Sequence, residues 1–146
     1  MKVILSSSIV GIVLSILISF LLKILSRETL FIVLGMMLSA IGGVYLGFSL
    51  AVDDKERINK NDKKNVWNMF DTQPTIETLY IIIMIIFGTN GIKYQSSSII
   101  SLGYIFHGIW DLIHHYVLYK IKVPKWYIPF CTIFDICFAI IIYFTF

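Results

Sequence analysis

The chain lacks a disulfide framework, a CxxC pair, an internal repeat and any room for a separate soluble module. Its two cysteines, Cys131 and Cys137, lie in one apolar block and point to different sides of a helix, so they say nothing about redox compartment. Charge is also scarce: 14% of the 146 residues are Asp, Glu, Lys or Arg, and the net charge is only +3. Nothing in this balance calls for a nucleic-acid partner.

What the chain has instead is apolar sequence. Hydrophobic residues make up 58% of it, above the roughly 45–50% of a soluble domain. They are gathered in long blocks. Blocks of about 18 residues or more read as membrane-crossing helices. The first block follows Met1-Lys2 and reaches Leu25, past the roughly 7–15 residues of a signal-peptide core, and no small-residue cleavage site closes it. It is expected to be a retained helix.

The blocks predict an all-α, polytopic transmembrane bundle of about five helices forming one domain, with the lipid bilayer as its partner and the cell membrane as its place. The helices are expected near residues 3–25, 29–52, 75–94, 97–119 and 126–146, with a polar loop over 53–74. The third is short: its clean apolar run stops at Phe87 before GTNG, so it either continues to Tyr94 or breaks there. Pro124 and Pro129 suit the entrance and first turn of the fifth helix. Trp126 and Tyr127 suit a headgroup belt. Small residues in SAIGGVYLG of the second helix permit close approach, including that of a second copy in a homodimer.

Lysine and arginine placement sets the expected orientation. With the N-terminus inside, the inner segments carry Lys2, Lys55, Arg57, Lys60, Lys63, Lys64, Lys120, Lys122 and Lys125; the outer ones carry Lys23, Arg27 and Lys93. The positive-inside rule then favours N-in and C-out, with the loop over 53–74 cytoplasmic.

Against this background, YIFHGIWDLIHHYVLYK (residues 104–120) is anomalous. It holds every histidine of the chain, His107, His114 and His115, together with Asp111. On a helical wheel with His107 at the origin, Asp111 falls at about 40°, His114 at about −20° and His115 at about 80°. Charged groups facing lipid cost several kcal/mol, so this arc should face protein or water. At 1.5 Å per residue from Tyr119, Asp111 lies about 12 Å deep and His107 about 18 Å deep. On the fifth helix, Asp135 comes out about 13 Å deep, with Cys131 one turn nearer the edge. Tyr45, Glu77 and Tyr80 reach the same inner half of the bilayer.

Asp111-x-x-His114 has the i, i+3 spacing of carboxylate-bridged metal sites in helix bundles. His107, Asp111 and His114 are therefore the candidate ligands of a divalent metal: zinc, iron or manganese. Asp135 and Glu77 are the candidate general bases. His115, Tyr45, Trp110 and Cys131 are expected around them. HxxHH boxes of the membrane di-iron desaturase type are absent. Each residue also has a plain structural role open to it. Glu77 in a first helical turn would complement the dipole. His115 would reach the headgroups, and Tyr45 and Cys131 would pack. The aspartates would be hydrogen-bond acceptors. Ser96 or Ser97 would cap a helix.

The runs LGYIFHGIWDLIHH and VPKWYIPFCTIFD resemble a family of small bacterial membrane proteins of unknown function. Its pattern is HGxWDxxHH, a short basic turn, then WYxPFCxxxD. GGVYLGF resembles the family's second-helix segment. The resemblance covers about residues 40–50 and 75–137. It implies that His107, Trp110, Asp111, His114, His115, Cys131 and Asp135 form a signature, and it implies no activity. Three functions are compatible with these residues: a metal-dependent enzyme acting on a lipid or other apolar substrate, a proton- or cation-coupled transporter, and a structural or regulatory membrane subunit.

Overall fold

The computed structural model describes residues 2–44, 47, 66–113, 124 and 126–146. Among them are five helices and no strand: α1 Lys2–Leu22, α2 Arg27–Gly42, α3 Val66–Tyr94, α4 Ser97–Ile113 and α5 Tyr127–Thr145. The all-α class expected from the sequence is the class observed.

Local chemistry sets the ends. α1 stops at Leu22, before Leu25, because the chain tightens there: Lys23, Ile24 and Leu25 each donate to the carbonyl three residues back. Ser26 is the N-cap of α2, accepting a 3.4 Å hydrogen bond from the Thr29 amide, so α2 begins two residues before Thr29. Ser96 caps α4 in the same way, accepting from the Ile99 amide. The preceding turn is made by Gln95, at φ 44°.

α3 departs most from expectation. It begins at Val66, inside the segment expected to be loop, and carries Pro74 in its interior. Polar composition does not stop a helix that apolar turns have already nucleated, since each added residue brings its own hydrogen bond. Pro74 forgoes only one such bond. At the other end α3 runs unbroken through Gly88, Thr89, Asn90 and Gly91. Thr89 and Asn90 donate back to the Ile85 and Ile86 carbonyls at 2.8 Å. Gly88 is glycine for space: a Cβ there would stand 2.5 Å from Ser39 Oγ and 2.6 Å from the Gly35 carbonyl oxygen of α2.

α1 packs on α5, α5 on α4, α4 on α3 and α2, and α2 on α3. The core joins Phe31, Leu34 and Leu38 of α2 to Tyr80 and Met84 of α3, Ile100 and Tyr104 of α4, and Phe138 and Ile142 of α5. α1 contributes a stripe of small residues, Ser7, Gly11, Ser15 and Ser19, and each serine donates to a carbonyl of its own helix.

The outside of this bundle is greasier than its inside. Leu5, Val13, Phe20, Met36, Leu79, Ile86, Leu102, Ile140 and Phe144 are all exposed, while Glu77, His107, Asp111 and Asp135 are buried. Water would favour the reverse arrangement; hydrocarbon favours this one. Ile4–Leu22, Thr75–Tyr94 and Tyr127–Thr145 are each long and apolar enough to cross a membrane. α4 is apolar and shorter over its described residues. The remainder of the second and fourth expected helices lies outside the described residues.

Candidate metal centre

α4 turns one face inward: Ile100, Ser101, Gly103, Tyr104, His107, Gly108 and Asp111. His107 and Asp111 are four residues apart, so they stack one turn above the other. α5 presents Ile128, Thr132, Asp135, Phe138, Ala139 and Ile142 to the same interior. The two helices touch at Gly108, where a Cβ would meet the Thr132 carbonyl oxygen at 3.4 Å and Asp135 Cβ at 3.5 Å, both ordinary contact distances.

The result is a compact set of one imidazole and two carboxylates. His107 Nδ1 lies 2.8 Å from Asp135 Oδ2 and 3.7 Å from Asp111 Oδ1. One ligand atom from each of the three residues falls within 4.8 Å of the others. Their exposures are 3%, 0% and 2% for His107, Asp111 and Asp135, which places the whole set out of solvent. The Ile41 carbonyl of α2 also lies near the imidazole.

Aromatic and polar neighbours line the set. Tyr80 of α3 stacks on Trp110 at 4.5 Å and 9°, and its ring centre is 6.0 Å from that of His107. Trp110 therefore packs beside the centre, as the wheel predicts. Tyr127 and Cys131 neighbour each other one turn apart on α5, within the electrostatic reach of both Asp111 and Asp135. Tyr104 meets Phe138 edge-on at 5.0 Å and also senses Asp135.

Of the three expected ligands, His107 and Asp111 converge, and His114 lies outside the described residues, as do His115 and Tyr45. Asp135, expected as a base, stands at ligand distance instead. Glu77, the other expected base, is buried on α3 but does not join the converging trio. The first-turn role for Glu77 is corrected: α3 starts at Val66 and has no acidic residue in its first turn, so its dipole end is far away. Tyr127, expected in a headgroup belt, is half-buried one turn from Cys131.

Tyr104 and Thr132 were not foreseen as neighbours. Both sit three residues before a site residue on their own helix, Tyr104 before His107 and Thr132 before Asp135. That spacing is the signal that could have found them.

Three polar side chains converging in this way can do two kinds of work. They can bind a divalent cation, or they can share and pass a proton. No protein-family model, curated protein or solved structure matches the chain.

Proposed function

We propose that the protein is a multi-pass protein of the cell membrane, N-in and C-out, that holds a divalent metal at His107, Asp111 and Asp135 and uses it on a lipid or other apolar substrate. The observation that carries this is the convergence of three ligand atoms within 4.8 Å in a fully buried place. Two carboxylates buried against one imidazole are costly alone, and a divalent ion balances them. The mixed nitrogen and oxygen set suits zinc, iron or manganese. Structural zinc sites are closed by four protein ligands, while catalytic ones keep a position free. Three ligands therefore favour chemistry over a structural role. In this proposal Glu77 is a base for a metal-bound water. The resemblance noted above points to most of the same residues.

The test is metal content. The untagged protein, purified in mild detergent, should carry near-stoichiometric zinc, iron or manganese by mass spectrometry. Asp111→Ala should lose it. Metal-free wild type that also binds none on titration refutes the proposal.

One observation supports a second reading. The 2.8 Å contact of His107 with Asp135 is itself a formed hydrogen bond, and buried Asp–His pairs serve as proton or cation relays in transporters. Metal-free protein that moves protons or cations in liposomes, and stops when Asp135 becomes Asn, would establish it.

A homodimer through α2 belongs to the same proposal. Ser39 and Gly42 are engaged with α3 within the chain, whereas Ala40 and Gly47 are exposed. These outward small residues suit a second copy. A Gly47→Leu variant that keeps the wild-type particle size in detergent speaks against this contact.

A further inference from the structure

Tyr80 has a hydroxyl sealed into the bundle with no hydrogen-bond partner. The residue is 1% exposed and its oxygen is fully buried. An unpaired buried donor is destabilising, and phenylalanine would fill the same stack without that cost. The ring cannot swing to seek a partner. Trp110 covers it at 4.5 Å, nearly parallel, and Phe106 stacks on it at 6.1 Å. The hydroxyl is thus held at a fixed place, and that place is within electrostatic reach of Asp111, Asp135 and Glu77.

Among the described residues, three other buried hydroxyls also lack partners: Ser101, Tyr104 and Thr132. All three belong to α4 or α5, the helices that supply the ligands. Tyr80 belongs to α3. A cation held by His107, Asp111 and Asp135 would take its ligands from α4 and α5 and keep a position free, while Tyr80 brings α3 against the same imidazole, 6.0 Å between ring centres.

We propose that the Tyr80 hydroxyl donates a hydrogen bond to an oxygen atom bound at this open position, so that the substrate meets the metal through an oxygen, as the carbonyl of an ester does. The inference rests on the metal-site reading above. Tyr80 is a positioning residue here, orienting the bound oxygen from α3.

The probe is acetohydroxamate, which binds metals through oxygen, with Co2+ as a visible reporter ion. Wild type, Tyr80→Phe and Tyr104→Phe should take up Co2+ with the same stoichiometry. Acetohydroxamate should then bind Tyr80→Phe about tenfold more weakly, the worth of one hydrogen bond, and Tyr104→Phe within about twofold of wild type. Equal affinity in all three overturns the role of Tyr80 and leaves the metal site standing. A folded Tyr80→Phe that takes up no Co2+ overturns it too, because Tyr80 would then hold the metal or its ligands. Absence of Co2+ from wild type removes the metal reading and the inference with it. Should Tyr80→Phe aggregate, the near-ultraviolet difference spectrum of wild type decides. Acetohydroxamate must perturb a tyrosine band that persists in Tyr104→Phe, and a flat difference spectrum overturns the proposal.

Discussion

His107 on α4 and Asp135 on α5 meet at 2.8 Å, Nδ1 to Oδ2, across the interface where Gly108 touches Thr132 and Asp135. With Asp135 ionised, the imidazole N–H donates to the carboxylate. The pair is 28 residues apart in sequence and ties the two helices that build the site. Asp111 adds a second carboxylate on the same side of the ring, at 3.7 Å.

Removing one member of this pair should cost more than removing both. Asp135→Ala leaves an imidazole facing a single carboxylate in a dry interior, and breaking a buried pair in this way costs about 3–5 kcal/mol. The double variant His107→Leu, Asp135→Leu replaces the pair by apolar volume and should recover part of that loss. Thermal unfolding in detergent, with single and double variants in one cycle, measures it. Costs that simply add would mean that the two side chains do not interact.

Metal removal gives a separate readout. An ion that binds only the folded state stabilises it by about 2.7 kcal/mol at one hundred times its dissociation constant. A strong chelator should therefore lower the melting temperature of wild type and leave Asp111→Ala unmoved. The same chelator shift in both proteins would place the metal elsewhere.

Much of this centre was legible in the sequence because depth is arithmetic. A helix rises 1.5 Å per residue, so counting inward from Tyr119 and from Trp126 brings Asp111 and Asp135 to one level. The wheel then puts His107 and Asp111 on one face, and the structure brings all three together. Counting gives level and face and does not give distance. It could not tell that Asp135 approaches the imidazole more closely than Asp111 does, because that depends on how tightly α4 and α5 pack. It also failed at Glu77, where the start of α3 was read from polarity. Helix propagation through Val66–Pro74 moved that carboxylate from a helix end to a helix interior.

The glycines of α3 were ambiguous for a related reason. Gly88 and Gly91 look like a break when read along the chain, and only the neighbouring helix shows that they are a contact. Gly88→Ala should test this. Its Cβ would press on the Ser39 hydroxyl and on the Gly35 backbone, and a backbone cannot step aside as a flexible side chain does. Overpacking of this kind costs about 1–3 kcal/mol. Unfolding of Gly88→Ala should show that loss, and a Ser39→Ala, Gly88→Ala pair should regain only the side-chain part. A Gly88→Ala protein as stable as wild type would mean that α2 and α3 are not in such close contact.

Orientation is the prediction on which the membrane reading depends most. Nine Lys and Arg residues fall on one side of a five-helix topology and three on the other. The positive-inside rule then puts the segment around Lys63 in the cytoplasm and the chain end at Phe146 outside. The same topology puts Asp111 and Asp135 nearer the cytoplasmic face, so a metal ion or other cation would enter from within the cell. Reporter fusions at Lys63 and after Phe146 should report opposite sides, with Lys63 cytoplasmic. If both fall on one side, an even number of crossings separates them, and the depths that bring Asp111 and Asp135 to one level lose their common origin. If they fall on opposite sides with Lys63 outside, the site stands as built, and its access opens from the other face.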